Sequence, residues 1–136
     1  MPKRPIPEPT PETKEFWEGA KRGELRIQRC RACKQAYFYP RPFCPNCSSR
    51  DVEWFTASGR GKLHTYVISH RPAYGFQDWT PYVIAIVQLD EGPRMMSNII
   101  GVDATPESLP IDLPVEVTWD HQNDDITLPL FRPVSA

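Results

Sequence analysis

The sequence predicts a mainly β protein in which a short cysteine-rich segment precedes a barrel of strands. Two observations carry this prediction. All four cysteines lie within an eighteen-residue window, and apolar and polar residues alternate along several segments after residue 61. Alternation with a period of two is typical of strands that bury one face. A chain of 136 residues suits one compact unit or two small ones.

The chain opens on a proline-rich arm, with five prolines among its first eleven residues. Such an arm is predicted to be extended and free of internal hydrogen bonds. It is either a disordered tail, as chain ends commonly are, or a segment that lies along a partner.

A short helix is predicted to follow the arm, from an N-cap at Thr10 to a C′ glycine at Gly23. Its apolar stripe includes Phe16 and Trp17. A helix of about three turns is not stable alone in water, so it must dock on the rest of the chain or on a partner. Phe16 and Trp17 are therefore candidate partner-contact residues.

The cysteines form two Cys-x-x-Cys knuckles separated by ten residues, Cys30 with Cys33 and Cys44 with Cys47. Two such knuckles can place four thiolates at the corners of a tetrahedron, the geometry of a structural Zn²⁺ site. Iron is the alternative metal. A disulfide framework fits less well because no apolar signal-peptide core follows Met1, and a redox centre needs only one such pair.

The predicted metal is structural, because four thiolates close its coordination shell and no histidine lies between residues 1 and 63. Binding would supply folding free energy to a segment too small to build a core. Strands predicted at 25–28, 37–39 and 52–55 complete a rubredoxin-like zinc ribbon. Lys34 and Ser48 follow the knuckles at positions where glycine would ease the turn.

Five further strands are predicted at 62–69, 82–89, 94–100, 115–119 and 127–131, with one helical turn at 105–109. Five strands with a helical insert between the third and fourth are the plan of an OB-fold barrel. A small sandwich fits the same pattern. The predicted units are an arm and helix at 1–23, the ribbon at 24–57 and the barrel at 58–136, with a flexible joint at 58–61.

The longest loop of the predicted barrel, 70–79, is the best candidate for a contact surface. It contains three aromatic residues and an arginine, residue types that are enriched in the cores of protein interfaces. The candidate partner or acyl-CoA contact residues in it are His70, Arg71, Tyr74, Phe76 and Trp79. The alternative is a loop that folds back over the barrel mouth.

Charge bears on nucleic-acid binding, which OB-folds and zinc ribbons both support. Residues 1–34 carry nine Lys/Arg against five Glu, whereas the remaining 102 residues carry seven basic and twelve acidic groups. Affinity for nucleic acid comes largely from neutralised phosphates, so an acidic barrel disfavours it. Binding of single-stranded nucleic acid is kept as the alternative function.

Independent catalysis is the third hypothesis. His64 falls within a predicted strand, and His121 lies beside Asp120 without an obvious nucleophile. The chain is therefore predicted to have no catalytic centre of its own. No apolar run is long enough to cross a bilayer, and the absence of a signal-peptide core predicts a cytoplasmic protein.

Motifs along nearly the whole chain resemble one family, the zinc-ribbon/OB-fold accessory proteins that accompany thiolases and thiolase-like aldolases. In chain order the motifs are Phe16-Trp17-x-Gly19, Gly23-Glu24-Leu25, Cys30-x-x-Cys33, Tyr39-Pro40, Cys44-Pro45-x-Cys47-Ser48-Ser49, Trp54, Ser58-Gly59-x-Gly61, Thr65-Tyr66, Pro81-Tyr82-Val83-Ile84-Ala85 and Asp90-Glu91-Gly92. The departures are Lys34, Ser48 and Asp112, each at a position where the family often has glycine.

The resemblance implies a non-catalytic subunit of a hetero-oligomer. Its partner would be a thiolase-like enzyme, an acyltransferase or an aldolase, that acts on acyl-CoA thioesters. The accessory subunit would help to form or order the substrate channel, in settings that include isoprenoid-precursor pathways and steroid side-chain cleavage.

Overall fold

The fold is seen in a computed structural model that describes residues 5–71, 73 and 75–134. Tyr74, one of the predicted contact residues, and the first part of the proline-rich arm lie outside the described residues. One helix and eight strands follow each other as α1 (Lys14–Lys21), β1 (Arg26–Cys30), β2 (Ala36–Tyr37), β3 (Val52–Thr56), β4 (Arg60–Ser69), β5 (Tyr82–Leu89), β6 (Arg94–Ile99), β7 (Pro114–His121) and β8 (Thr127–Pro133). Single 3₁₀ turns occur at Gln77–Trp79 and Pro106–Ser108.

The helix begins three residues later than its predicted start, so the N-cap prediction at Thr10 is wrong. Thr10 and Thr13 close a turn ahead of the helix, in which the Thr10 N–H donates to the Thr13 hydroxyl at 2.9 Å and the Thr13 N–H donates to the Thr10 carbonyl at 3.0 Å. Hydrogen bonds between a threonine side chain and the nearby backbone compete with helix formation in this way. The predicted end is confirmed, since Gly23 adopts a positive φ of 77° directly after the helix.

The cysteine-rich segment forms a three-stranded sheet in the order β2-β1-β3. Strand β1 pairs with β3 antiparallel over its whole length, from Arg26 opposite Thr56 to Cys30 opposite Val52. Its pairing with β2 is short, with Gln28 opposite Tyr37. The three predicted ribbon strands are therefore present, with shifted ends.

The second half of the chain forms a closed barrel in the strand order β4-β5-β6-β8-β7. Strands β6 and β8 are parallel neighbours, and the remaining pairs are antiparallel. A bulge between Leu63 and Thr65 lets β4 bend from one neighbour toward the next. Closure and the helical turn before β7 confirm the OB-fold and exclude the sandwich.

One hydrophobic core joins the helix, the ribbon and the barrel. Phe16 from α1, with Leu25 and Ile27 from the start of the ribbon, belongs to the same buried cluster as Leu63 and Phe131 of the barrel. The helix therefore docks on its own chain, and the sheet and barrel are not separately packed units.

The junction between ribbon and barrel is held by hydrogen bonds, so the prediction of a flexible joint at 58–61 is wrong. The Ser58 N–H donates to Glu91 at 2.8 Å, and the Val117 N–H donates to the Gly59 carbonyl at 2.7 Å. The backbone of β5 passes so close to Gly61 that a Cβ atom there would overlap the Gln88 carbonyl. The exact limits of the three predicted units stay predictions.

No helix in the described part of the chain is long and apolar enough to cross a membrane.

Candidate functional site

The four cysteines of the two knuckles come together at one end of the ribbon. Their Sγ atoms all lie within 4.8 Å of one another, with 3.5 Å between Cys30 and Cys47 and 3.7 Å between Cys33 and Cys44. Cys30 and Cys44 are buried, whereas Cys47 is exposed. The cluster therefore sits at the surface with two of its sulfurs anchored in the protein.

The two knuckles repeat the same backbone hydrogen bonds. The carbonyl of Cys30 accepts from the Lys34 N–H, and the carbonyl of Cys44 accepts from the Ser48 N–H, each at 2.9 Å. Amide donors also reach the sulfurs, since the Cys33 N–H lies 3.4 Å from Cys30 Sγ and the Asn46 N–H lies 3.3 Å from Cys44 Sγ. Such donors stabilise thiolate over thiol.

Lys34 and Ser48 adopt left-handed backbone conformations, with φ of 70° and 65°. Asp112 has a φ of 66°, and these three are the non-glycine residues with positive φ in the described part of the chain. They are the same three positions at which the sequence leads us to expect glycine. A left-handed backbone conformation is less favourable for an L-residue than for glycine, so these three positions are strained.

The loop between the knuckles is clamped by two buried side chains on β1 and β2. The amide oxygen of Gln28 accepts from the Arg41 N–H at 2.7 Å, and the Tyr37 hydroxyl donates to the Arg41 carbonyl at 2.8 Å. Burial raises the pKa of Tyr37 to about 12, so it remains a donor. Sequence reasoning missed this clamp, because a glutamine in a strand carries no visible signal of burial.

The pKa values of two thiols in the cluster, Cys33 and Cys47, are shifted in opposite directions. A hydrogen bond from the Gln35 N–H lowers the pKa of Cys33 to about 6. The Ser49 N–H acts in the same sense at Cys47, but the hydrogen bond to the Cys30 sulfur and loss of hydration raise the pKa of Cys47 to about 12. Four thiolates repel each other without a counter-charge, and a divalent cation removes that repulsion.

The cluster fits a metal ion and does not form disulfides. The sulfur separations of 3.5 Å for Cys30–Cys47 and 3.7 Å for Cys33–Cys44 exceed an S–S bond of about 2.05 Å. A tetrahedral Zn²⁺ with Zn–S bonds of about 2.3 Å places its sulfurs roughly 3.8 Å apart. The four cysteines are thus positioned to bind a metal ion with a closed thiolate shell.

The two predicted contact residues of the helix, Phe16 and Trp17, differ in burial. Phe16 is only 5% exposed and supports the helix from within the core. Trp17 is half-buried beside it, with ring centroids 4.9 Å apart. Trp17 is thus the residue of this pair that offers surface.

The long loop between β4 and β5 separates into an exposed part and a packed part. His70 and Arg71 are exposed. The Phe76 ring stacks on Tyr82 at 5.0 Å, and Trp79 meets Phe76 edge-on at 6.0 Å. The aromatic residues thus rest on the start of β5, in line with the alternative that the loop folds back. Contact with a partner or with acyl-CoA stays a prediction for this loop.

The two histidines outside the loop lie on neighbouring strands of the barrel wall or at their ends. His64 is half-buried in β4, and His121 Nδ1 lies 3.4 Å from the hydroxyl of Thr127.

The structure adds an apolar cavity that sequence reasoning missed. It has a volume of about 270 Å³ and lies between α1, the loop after β2 and strands β6 and β8. Its walls include Trp17, Phe38, Tyr39, Met96 and Leu128. Nothing in the sequence shows that the helix, the loop and these two strands meet.

Residues 17–53 match the family model described as the rubredoxin-like zinc ribbon domain of ChsH2, and residues 54–120 match that of the ChsH2 C-terminal OB-fold domain.

Among curated relatives, a probable enoyl-CoA hydratase alpha subunit of Thermomonospora curvata is 40% identical over 119 residues, which cover 87% of this chain but only 36% of that protein. A DUF35 domain-containing scaffold protein of Methanocaldococcus jannaschii is 38% identical over 71% of this chain and 68% of its own length. The benzoylsuccinyl-CoA thiolase subunit BbsA of Geobacter metallireducens is 32% identical over 57% of this chain and 51% of its own length.

Among solved structures, a chain of the Ltp2-ChsH2(DUF35) aldolase superposes with a TM-score of 0.80 at 37% identity. The superposition covers 93% of this chain and 98% of that one.

Proposed function

Because this chain belongs to the DUF35 family, with the zinc ribbon and OB-fold domains of the ChsH2 type, we propose that it is a non-catalytic accessory subunit. It binds a thiolase-like enzyme that acts on acyl-CoA thioesters, and it helps to form or order the acyl-CoA channel of that enzyme. The observation that carries this proposal is the superposition on almost the whole DUF35 chain of an Ltp2-ChsH2 aldolase.

Relatives support the same class of assembly. BbsA is described as a subunit of a CoA-thioester thiolase, and the Thermomonospora curvata relative as a subunit of a CoA-thioester hydratase. This chain spans about a third of the latter protein, so an activity of the whole relative is not transferred to it. The common element is an acyl-CoA enzyme with a second subunit.

The metal centre supports a structural role within this subunit. We propose that Cys30, Cys33, Cys44 and Cys47 hold one Zn²⁺, which joins the two knuckles and fixes the ribbon. The metal would supply folding free energy and leave no open coordination position, so substrate chemistry belongs to the partner.

The proposed contact surface comprises Trp17 and the exposed part of the loop after β4. Arg71 is exposed there and can pair with a carboxylate or phosphate. We expect Arg71→Ala to weaken partner binding. Arg50 in the ribbon is also exposed, and Arg50→Ala should leave partner binding unchanged. Equal affinities for both variants would remove Arg71 from the interface.

Co-expression tests the function directly. The protein is produced together with candidate thiolase-like proteins encoded near its gene, captured by a tag and analysed by light scattering. A stable hetero-oligomer whose CoA-releasing activity exceeds that of the partner alone is expected. Failure to form a complex, with salt-dependent binding of single-stranded DNA or RNA instead, would replace this proposal by nucleic-acid binding.

A further inference from the structure

The two knuckles of the cysteine cluster are local copies of each other in their backbone. In addition to the matching bonds at Lys34 and Ser48, each knuckle closes on itself by a second hydrogen bond. The Cys30 N–H donates to the Gln35 carbonyl at 2.9 Å, and the Cys44 N–H donates to the Ser49 carbonyl at 2.8 Å. The two backbones therefore hold their cysteines in the same way.

The sulfur atoms follow the same repeat. The first cysteine of each knuckle, Cys30 or Cys44, is buried, and the second, Cys33 or Cys47, is less buried. Exchange of the two knuckles turns the Cys30–Cys47 pair, at 3.5 Å, into the Cys44–Cys33 pair, at 3.7 Å. A local twofold relation thus pairs two inner sulfurs, Cys30 and Cys44, and two outer sulfurs, Cys33 and Cys47.

One side chain breaks this symmetry at the outer sulfurs. The side-chain amide of Asn46 donates to the Sγ atom of Cys33 at 3.7 Å. The equivalent position of the first knuckle is Ala32, whose side chain has no donor. In the described part of the chain Cys47 therefore has no matching amide, and it is exposed where Cys33 is half-buried.

This difference bears on the reactivity of the two outer thiolates. A thiolate is a nucleophile, and its reaction with an electrophile requires access to the sulfur. A hydrogen bond from a neighbouring side chain draws charge from a metal-bound ligand and tunes it. Cys47 has the greater access and lacks the side-chain donor, so both effects make it the more reactive outer sulfur.

From this asymmetry we infer that Cys47 is the ligand at which thiol-reactive electrophiles open the metal centre, and that Asn46 protects Cys33 from them. The inference rests on the proposed metal site and is independent of the partner. With a maleimide, the Cys47 sulfur forms a bond to one alkene carbon as the C=C π bond breaks. The other carbon takes a proton from water, which leaves hydroxide. The thioether product carries no charge and is a poor ligand, so one coordination position is lost.

Alkylation of the metal-loaded protein tests this inference. Zinc is first quantified by elemental analysis, and the protein is then treated with less than one equivalent of N-ethylmaleimide. The modified cysteine is identified by peptide mass spectrometry, and released zinc is followed with a metallochromic dye. We expect most of the adduct at Cys47 and the release of one zinc per adduct.

Asn46→Ala removes the protecting amide and should speed the alkylation of Cys33 about two- to tenfold, the range that one hydrogen bond supplies. The rate at Cys47 should not change. Gln35→Ala is the matched control, because it removes another exposed amide side chain and keeps the backbone N–H that bonds to the Cys33 sulfur. This control should leave both rates unchanged.

Ala32→Asn is the reciprocal variant. It supplies an amide at the position that the twofold relation makes equivalent to Asn46, and Ala32 is exposed, so the larger side chain has room. We expect it to slow the alkylation of Cys47 by a similar factor. Local unfolding would speed alkylation, so slower reaction at Cys47 separates protection by an amide from disruption of the knuckle.

Equal alkylation of Cys33 and Cys47 in the zinc-loaded protein would overturn the inference. So would a preference that neither Asn46→Ala nor Ala32→Asn changes. A purified protein without bound metal would refute the metal centre and this inference with it, and would leave partner binding untouched. Failure to capture a partner would instead refute the proposed function, whichever cysteine reacts first.

Discussion

The backbone N–H of Ser58 donates to Oε2 of Glu91 at 2.8 Å across thirty-three residues of sequence. Ser58 lies where the ribbon passes into the barrel, and Glu91 lies in the turn between β5 and β6. The other carboxylate oxygen, Oε1, is buried without a hydrogen-bond partner among the described residues. The Glu91 side chain therefore helps to hold the junction, and one of its oxygens stays unsatisfied among the described residues.

Glu91→Ala should destabilise the protein by about 1–2 kcal/mol, because a charge-assisted hydrogen bond is lost while Ser58 stays accessible to water. Glu91→Gln keeps an acceptor for Ser58, and its neutral amide is less costly to bury. We therefore expect a loss for Gln well below that for Ala, measured by urea denaturation. Equal losses for the two variants would show that the bond to Ser58 contributes nothing.

Glycine at the two knuckle turns should stabilise the metal-bound protein. Lys34 and Ser48 have φ of 70° and 65°, a region that costs an L-residue roughly 1–2 kcal/mol relative to glycine. Part of this gain is offset because glycine raises the entropy of the unfolded chain by about 0.5–1 kcal/mol. Lys34→Gly and Ser48→Gly should each add up to about 1 kcal/mol to the free energy of unfolding.

Ala32→Gly is the control for these variants, since Ala32 lies in the first knuckle without a positive φ. It should lower stability by about 0.5–1 kcal/mol. A stability loss in Lys34→Gly similar to that in Ala32→Gly would mean that the left-handed conformation is not strained in solution.

The sequence predicts the features that are determined by neighbouring residues. It does not predict the features that depend on contacts between distant parts of the chain. The cysteine spacing predicts the metal cluster, the alternation predicts all five barrel strands, and the expectation of glycine in tight turns singles out Lys34, Ser48 and Asp112. The helix start was misplaced because a bond between two threonine side chains and backbones outweighed a capping preference. The Ser58–Glu91 hydrogen bond and the apolar cavity beside α1 bring together elements that are far apart in the sequence. No local sequence pattern predicts such contacts.

Removal of the metal should unfold the ribbon. Structural zinc contributes on the order of 10–16 kcal/mol in small thiolate sites, and the ribbon sheet has only three short strands. We expect one zinc per chain by elemental analysis, and chelation should expose the amides of β1 and β3 to hydrogen exchange. Because Leu25 and Ile27 belong to the common core, the melting temperature of the barrel should fall as well.

Cys30→Ser and Cys47→Ser compare a buried with an exposed ligand position. The buried substitution should cost more metal affinity, because its neighbours cannot rearrange to admit water as a substitute ligand. Iron rather than zinc in the purified protein would favour the alternative metal. Full zinc occupancy in a variant that lacks two of the cysteines would contradict the four-thiolate site.

Gly61→Ala should be among the most damaging single-methyl additions in the chain. A Cβ there would overlap the carbonyl oxygen of Gln88, a backbone atom in the β4–β5 ladder that cannot move without separating the strands. We expect a loss of about 3 kcal/mol or more by denaturant unfolding, at the upper end of overpacking effects. Gly19→Ala is the matched comparison, because its closest clash is with the Cγ atom of the Arg26 side chain and not with the backbone of a paired strand. Its loss should be clearly smaller, limited by the displaced Arg26–Glu15 ion pair and the carbonyl of Glu24. If Gly61→Ala were no worse than Gly19→Ala, the strands β4 and β5 would have to be farther apart at this point than the structure places them.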